Sequence, residues 1–299
     1  MEYKIYTTVC DIIDYLYEEK KEEYKKFYIK IIPKEMKRIH GRYTYNRNLI
    51  EIFNLSRPYN HIITTILHEV AHHIDYINRG TSDHKKEFYD VFYNLIIGAL
   101  ELNIISKKDI ITETDSLDKD RLEKYFGSIR NWEVKEVEYK KDIKIIKVSN
   151  SYKLKDYLQI NGYKYSKLEQ VWFKEMKVGT IYEEIELLKR LTDSENIKVI
   201  DRNDLEIEAI YYIAVLNSYN HREILKENGY IYNGYGIEKK SWNKKIKANE
   251  LEKEKELLNK LDGVKFKIIN KKNKTYTRWK RKIKILKSLK VRYPRGIPF

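Results

Sequence analysis

In the stretch Ile66-Leu67-His68-Glu69-Val70-Ala71-His72-His73, two histidines stand four positions apart with a glutamate after the first, an H-E-x-x-H pattern. Residues four apart on an α-helix lie on one face, with Cβ atoms about 5–6 Å apart, so His68 and His72 can converge on one metal ion. Glu69, one step round the helix, can reach a water beside that ion without being a ligand. A zinc hydrolase needs these parts: histidines that hold the ion, an open position for water, and a carboxylate that takes the water's proton. The pattern also constrains the fold, because it works only on a helix with a buried face. Residues 58–79 meet that demand, with Ile63, Leu67, Val70, Ile74 and Ile77 spaced as one apolar stripe. Pro58 suits the first turn, and Gly80 suits the position just past the end.

A third ligand is expected shortly downstream. Ser82 or Asp83 can cap a second helix. From His72 to Gly80 the helix climbs about 12 Å at 1.5 Å per residue. Four extended residues at about 3.3 Å each cover the return and leave His84 at the start of the next helix. Asp75, Glu87 and Asp90 are rival oxygen ligands. His73 points about 100° away from His72 and is expected, with Asp75, to pack or to support the ligands. Tyr45, Tyr59 and Tyr76 are unranked candidates for stabilising an oxyanion.

His68-Glu69-x-x-His72, eleven residues, then His84-x-x-x-Phe88 resembles the SprT-like zincins, the family that includes the Spartan proteases. Lys85 stands where that family usually has glycine. Gly41-Arg42-Tyr43-Thr44-Tyr45 and Leu49-Ile50-Glu51-Ile52-Phe53-Asn54-Leu55 are similar to the strand pair that precedes its active-site helix. The resemblance spans roughly residues 20–105. It implies one Zn²⁺ per chain held by His68, His72 and His84, with Glu69 as catalytic base. It also implies a protein or peptide substrate, in the best-known members a protein bound or crosslinked to DNA.

The net charge of +15 is informative only once it is located. Residues 1–250 carry 43 basic and 41 acidic side chains, whereas residues 251–299 carry 17 basic and 4 acidic ones. Lys271, Lys272, Lys274, Tyr276, Arg278, Trp279, Lys280, Arg281, Lys282 and Lys284 interleave cations with aromatics. Such a segment suits the phosphate backbone of DNA or another nucleic acid, with Tyr276 and Trp279 able to stack on exposed bases. A solvated tail that aids solubility is the plainer alternative. No apolar run approaches the eighteen or so residues of a membrane span. The N-terminus has no signal-peptide pattern, and the single cysteine, Cys10, excludes an intrachain disulfide. A cytoplasmic protein with no membrane partner is expected. Cys10–Tyr28, with Ile12, Ile13, Leu16 and Tyr17, is expected as an amphipathic helix, and Ser106–Gly127 as helix.

Between the motif and the tail lies an internal repeat. Ile146-Lys147-Val148-Ser149-Asn150-Ser151-Tyr152 recurs 67 positions later as Ile213-Ala214-Val215-Leu216-Asn217-Ser218-Tyr219, and Asn161-Gly162-Tyr163-Lys164-Tyr165 recurs as Asn228-Gly229-Tyr230-Ile231-Tyr232. Trp172 matches Trp242 at an offset of 70, as Leu187–Leu191 matches Leu257–Leu261, which implies three residues inserted in the second copy's hairpin. Each copy reads strand, helix, two strands around a turn, helix, strand, the order of a split β-α-β unit. RNA-recognition modules use the same order and stack bases on sheet aromatics. Here Tyr163, Tyr165, Trp172 and Phe173, with Tyr230, Tyr232 and Trp242, either serve that purpose or form the sheet's own core.

The expectation is therefore an α+β chain: a zincin-like metallopeptidase domain over residues 1–130, two β-α-β-β-α-β repeats over 141–200 and 208–269, and a basic, aromatic-containing tail over 270–299. The expected activity is zinc-dependent peptide hydrolysis directed to nucleic-acid-associated proteins. The alternatives are a nucleic-acid-binding protein with a regulatory or inactive zincin domain, and an ImmA-like or toxin-like metalloprotease that cleaves one partner.

Overall fold

The computed structural model describes residues 2–112, 117–135, 137–139, 142–202 and 208–269. It is a mixed α+β structure with three small sheets. Helix α1 spans Glu2–Leu16, with Ile5, Val9, Ile12 and Ile13 fully buried. The helix expected over residues 10–28 thus lies further upstream and stops at Leu16. Its apolar stripe ends there: Tyr17 turns in against Tyr24, and the following Glu-Glu-Lys-Lys-Glu-Glu is wholly charged. A short helix α2 (Lys21–Tyr24) leads into strand β1 (Tyr28–Ile31), so the rest of that stretch reverses into a sheet.

Strands β2 (Gly41–Thr44) and β3 (Leu49–Ile52) form the expected pair, antiparallel and joined by a tight turn. β1 adds to the other side of β3 in parallel, giving the order β1-β3-β2 with β2 at an edge. Ile50 and Ile52 of the central strand are fully buried. Helix α3 covers Tyr59–Arg79, with Pro58 at its N-cap and Gly80 at its C-cap. Gly80 sits at φ 71° and donates its N–H to the Tyr76 carbonyl at 2.7 Å, which satisfies a terminal acceptor and turns the chain back. The buried face of α3 is wider than the predicted stripe and includes Ile62, Ile66 and Ala71, because both the sheet and a second helix cover it. That second helix, α4 (Lys86–Glu101), buries Phe88, Tyr89, Phe92, Leu95, Ile96 and Ala99. Helices α5 (Lys107–Thr112) and α6 (Leu117–Phe126) follow, within the span read as helical.

Residues 142–202 hold β4 (Ile143–Val148), α7 (Lys155–Ile160), β5 (Lys164–Ser166), β6 (Val171–Lys177), α8 (Val178–Lys189) and β7 (Ile197–Asp201). Their sheet runs β5-β6-β4-β7, all neighbours antiparallel. Residues 210–269 hold β8 (Ile210–Leu216), α9 (Arg222–Glu227), β9 (Ile231–Tyr232), β10 (Trp242–Lys247), α10 (Leu251–Asn259) and β11 (Lys265–Ile269). Their sheet order is β11-β8-β10-β9, the same arrangement. In the first sheet, Ile146, Val148, Leu158, Tyr163, Trp172, Ile181 and Leu188 form one core.

The described chain falls into two compact units, one of residues 1–210 with 247–255, the other of the remainder. The first sheet therefore belongs to the same unit as the N-terminal helices. Its outer face carries Ile145 and Phe173, which pack with Tyr59 and Ile200. Lys4 of α1 lies over the Phe173 ring at 4.6 Å, and Arg202 donates to Thr8 Oγ1 at 2.8 Å and Thr7 Oγ1 at 3.2 Å. Glu175 Oε1 stands 3.3 Å from Arg202 Nε and 3.9 Å from Lys4 Nζ. Burial holds the Lys4 ammonium down to about 7. Phe173 is thus a docking side chain, and Tyr163 and Trp172 are core, so of the two readings open for these three the structure supports packing over ligand contact.

On the same outer face Lys147 pairs with Glu169 at 2.9 Å, both nearly inaccessible to solvent. Breaking a buried pair strands the remaining charge, whereas replacing both partners by apolar groups removes the penalty. Lys147→Ala is expected to cost about 3–5 kcal/mol in denaturant unfolding. The double variant Lys147→Met, Glu169→Leu should recover most of that loss, and equal loss in both would refute the pair's assignment.

Candidate metal centre

His68 and His72 project from one face of α3, with ring centroids 4.9 Å apart. The turn at Gly80 brings His84 back against them. Nε2 of His84 lies 3.1 Å from Nε2 of His68 and 3.2 Å from Nε2 of His72. Among the described residues, these three form the group whose ligand atoms all fall within 4.8 Å of one another. Tetrahedral nitrogen ligands with bonds of about 2.0–2.1 Å lie roughly 3.3 Å apart, so the observed spacing fits a bound zinc ion. Phe88, fully buried, packs against all three imidazoles with centroid distances of 4.9, 4.3 and 5.0 Å.

The Nδ1 atoms of His72 and His68 face groups that leave Nε2 towards the centre. Ser82 Oγ lies 2.8 Å from Nδ1 of His72. Ser82 or Asp83 was expected as a helix cap, but α4 begins later, with Lys85 at the N-cap and no side-chain cap bond. Asp118 of α6 places Oδ2 2.9 Å from Nδ1 of His68 and accepts from the Tyr89 hydroxyl at 2.7 Å. Burial would raise the Asp118 carboxyl, but His68, the Tyr89 hydroxyl and His84 together outweigh it and hold it low. Arg121, one turn along α6, donates to the His84 carbonyl at 3.0 Å. Burial, then the neighbouring imidazoles, lower His72 to about 3, and burial likewise lowers His84. Both rings are neutral at physiological pH, the state a metal ligand requires.

Glu69 points towards β2 instead of joining the histidines. It is 6% exposed, and burial raises its carboxyl to about 7, opposed by His68 and by the Tyr43 amide that donates to it. A Cβ built on Gly41 would lie 2.5 Å from Glu69 Oε1 and 2.9 Å from Thr65 Cγ2. Only a residue without a side chain lets β2 approach the carboxylate this closely. These groups line one open cleft of about 1070 Å³, whose walls include β2, the Gly80–His84 turn, Tyr45, Tyr76 and Leu117.

His68, His72 and His84 are thus brought together, with Glu69 beside them on the cleft wall. The rivals are otherwise engaged: Asp75 pairs with Arg79 at 2.7 Å, Asp90 pairs with Lys86 at 2.6 Å, and Glu87 is exposed. His73 is fully buried, its Nδ1 2.9 Å from the Tyr43 hydroxyl, in the packing role foreseen for it. Tyr45 and Tyr76 stack at 5.3 Å on the cleft wall, whereas the Tyr59 ring packs towards Phe173 and does not line the cleft. Asp118 and Arg121 were not foreseen. A lone acid in an alternating run of charges gives no local sign that it reaches a histidine fifty positions upstream. Lys271, Lys272, Lys274, Tyr276, Arg278, Trp279, Lys280, Arg281, Lys282 and Lys284 lie outside the described residues.

No protein-family model, curated protein or solved structure matches the chain. The functional reading accordingly rests on the residues and their geometry. Carboxylates that orient a ligating histidine typically matter 10–100-fold to metal affinity. Asp118→Asn is therefore expected to weaken zinc binding by about that factor in competition with a chromophoric chelator, with the circular dichroism spectrum unchanged. An unaltered affinity would show that Asp118 does not position His68.

Proposed function

We propose that this chain is a zinc-dependent metallopeptidase of the SprT-like kind, directed to nucleic-acid-associated proteins by its C-terminal region. The observation that carries the reading is the convergence of three imidazoles, with His84 Nε2 3.1 Å from that of His68 and 3.2 Å from that of His72, beside a buried glutamate on the wall of an open cleft. His68, His72 and His84 would hold one Zn²⁺. When bound, the ion supplies a Lewis acid that polarises a peptide carbonyl and acidifies the attacking water. Glu69 takes the water's proton and returns it to the leaving amine. A carboxyl poised near neutrality suits both halves of that transfer. Asp118 and Ser82 keep the ligating rings turned inwards.

The edge strand β2 supplies the means of holding substrate. Its outer edge carries no partner strand among the described residues, and Gly41–Tyr43 line the cleft beside Glu69. An extended peptide added along this edge would form main-chain hydrogen bonds in a fixed register and carry its carbonyls past the histidines. Such recognition depends little on side chains and suits a protease that meets unrelated proteins. The N-terminal helices and the three-stranded sheet then constitute the zincin-like domain. The two sheets of matching order are two copies of one split β-α-β unit, which with the basic tail recruit nucleic acid. No helix among the described residues is long and apolar enough to cross a membrane.

Glu69→Gln separates chemistry from metal binding. The variant is expected to keep about one zinc per chain by elemental analysis and to lose peptidase activity by about 10²-fold or more. Full activity in that variant would sink the mechanism.

Recruitment is tested apart from cleavage. The fourteen lysines and arginines after Asp262, with no acid among them, should give DNA affinity a steep inverse dependence on salt. Deleting residues 271–299 should flatten that dependence and weaken binding, while an unstructured peptide is cleaved at nearly the original rate. An unchanged salt slope would show that the tail is not the tether.

A further inference from the structure

A duplicated unit separates side chains its fold requires from those kept for another reason. Over the strand-helix-strand half of the two copies, nearly all the shared residues have a structural task. Ile146 and Ile213, Val148 and Val215, and Leu158 and Leu225 are fully buried core pairs. Asn150 and Asn217 adopt the left-handed conformation at φ 47° and 53°, as do Gly162 and Gly229 at 80° and 79°. Tyr163 and Tyr230 are buried beneath Lys174 and Lys244, each 5.3 Å above its ring. Two tyrosines per copy have no such task. Tyr152 and Tyr219 are 91% and 81% exposed, and Tyr165 and Tyr232 are 48% and 53% exposed.

Their placement is the same in both copies. Tyr165 leans on Trp172 at 5.3 Å and Tyr232 leans on Trp242 at 5.7 Å, each pair in register across neighbouring strands. Trp172 is also the register partner of Val148, the strand end from which Tyr152 follows four residues on. Each copy therefore presents exposed rings at one end of its sheet, one of them backed by a tryptophan. Cations stand beside them: Lys153 and Lys155 follow Tyr152 in exposed positions, and the Arg222 guanidinium lies 5.6 Å over the Tyr219 ring. Each copy carries 12 basic and 9 acidic side chains, an excess that continues into the tail.

Exposed flat rings beside positive charge, repeated in tandem, fit a polymer that offers a flat ring and a negative charge in every unit. We propose that Tyr152 with Tyr165, and Tyr219 with Tyr232, are base-stacking ledges that hold single-stranded nucleic acid. The proposal rests on the recruitment reading above and names the side chains that would serve it within the two copies, apart from the tail.

The full-length chain is titrated with a labelled oligothymidine strand by fluorescence anisotropy, beside heparin as a polyanion without bases. Replacing both tyrosines of one copy by alanine should weaken oligothymidine binding about tenfold or more, as loss of base stacking does, and leave heparin affinity unchanged. Phenylalanine at the same positions should keep wild-type affinity, since the ring and not the hydroxyl does the stacking. Circular dichroism checks that the exposed substitutions leave the fold intact. Unchanged oligothymidine affinity in the alanine variants, or equal weakening towards heparin, overturns the ledges while wild-type binding keeps the recruitment reading alive. A wild-type chain that binds no strand at low salt overturns both, and peptide cleavage by the same preparation tells whether the metallopeptidase reading survives.

Discussion

Phe88 packs under all three imidazoles, and this contact closes the hairpin of α3 and α4 on which the rest of the centre depends. Two histidines of an H-E-x-x-H helix meet by helical periodicity alone. The third comes from beyond a turn, and its position is set by whatever holds the second helix against the first. A fully buried aromatic ring, part of a row with Phe92 on the same helix, gains several kcal/mol on burial and touches each ring it positions. The arrangement of the three imidazoles is therefore an outgrowth of the hydrophobic core. Metal binding would add to a geometry that apolar packing already favours, so little ordering is left for the ion to impose.

Much of this was legible before the structure because it is local. The α3 helix, its proline start and glycine end, the β2–β3 hairpin and the order of elements in the two later segments all follow from periodicities and turn residues within a few positions of one another. The group formed by His68, Glu69, His72 and His84 was readable for the same reason: its members lie within one helical hairpin. What was not legible is long-range. Asp118 reaches His68, and Arg202 reaches Thr7 and Thr8, across separations that carry no periodic signal. Phe173 alternates along its strand as a ligand-contacting aromatic would, and only the presence of Tyr59 and Lys4 over that face decides its role. Ser82 was plausible as a cap by chemistry, and the structure spends its hydroxyl on His72 instead.

The two sheets show how one order of strands can meet its surroundings differently. In the first, the outer face is covered by α1 and the start of α3, through Phe173, Arg202, Glu175 and the buried Lys147–Glu169 pair. In the second, Asn243 stands where Phe173 does, and the inserted residues close over it locally: Asn243 is fully buried, donates to the Glu238 carbonyl at 3.0 Å and accepts from Ser241 at 3.0 Å. The insertion inferred from the changed offset is thus a plug that completes a face within its own sheet. The exposed tyrosines stand apart from this difference, since both sheets carry them at matching positions.

Gly41 has a further consequence. The strand edge that would align a peptide and the carboxylate that would act on it meet at a point where the backbone has no side chain, and the Tyr43 amide, two residues on, fixes that carboxylate. Under the proposed function, alignment and proton transfer would therefore share one short piece of chain. A register error or a bend in β2 would not merely misplace a substrate; it would also displace the base. Fidelity of binding and competence for reaction would in this way be mechanically linked, and an ill-fitting segment that distorts the edge would disarm the site it occupied.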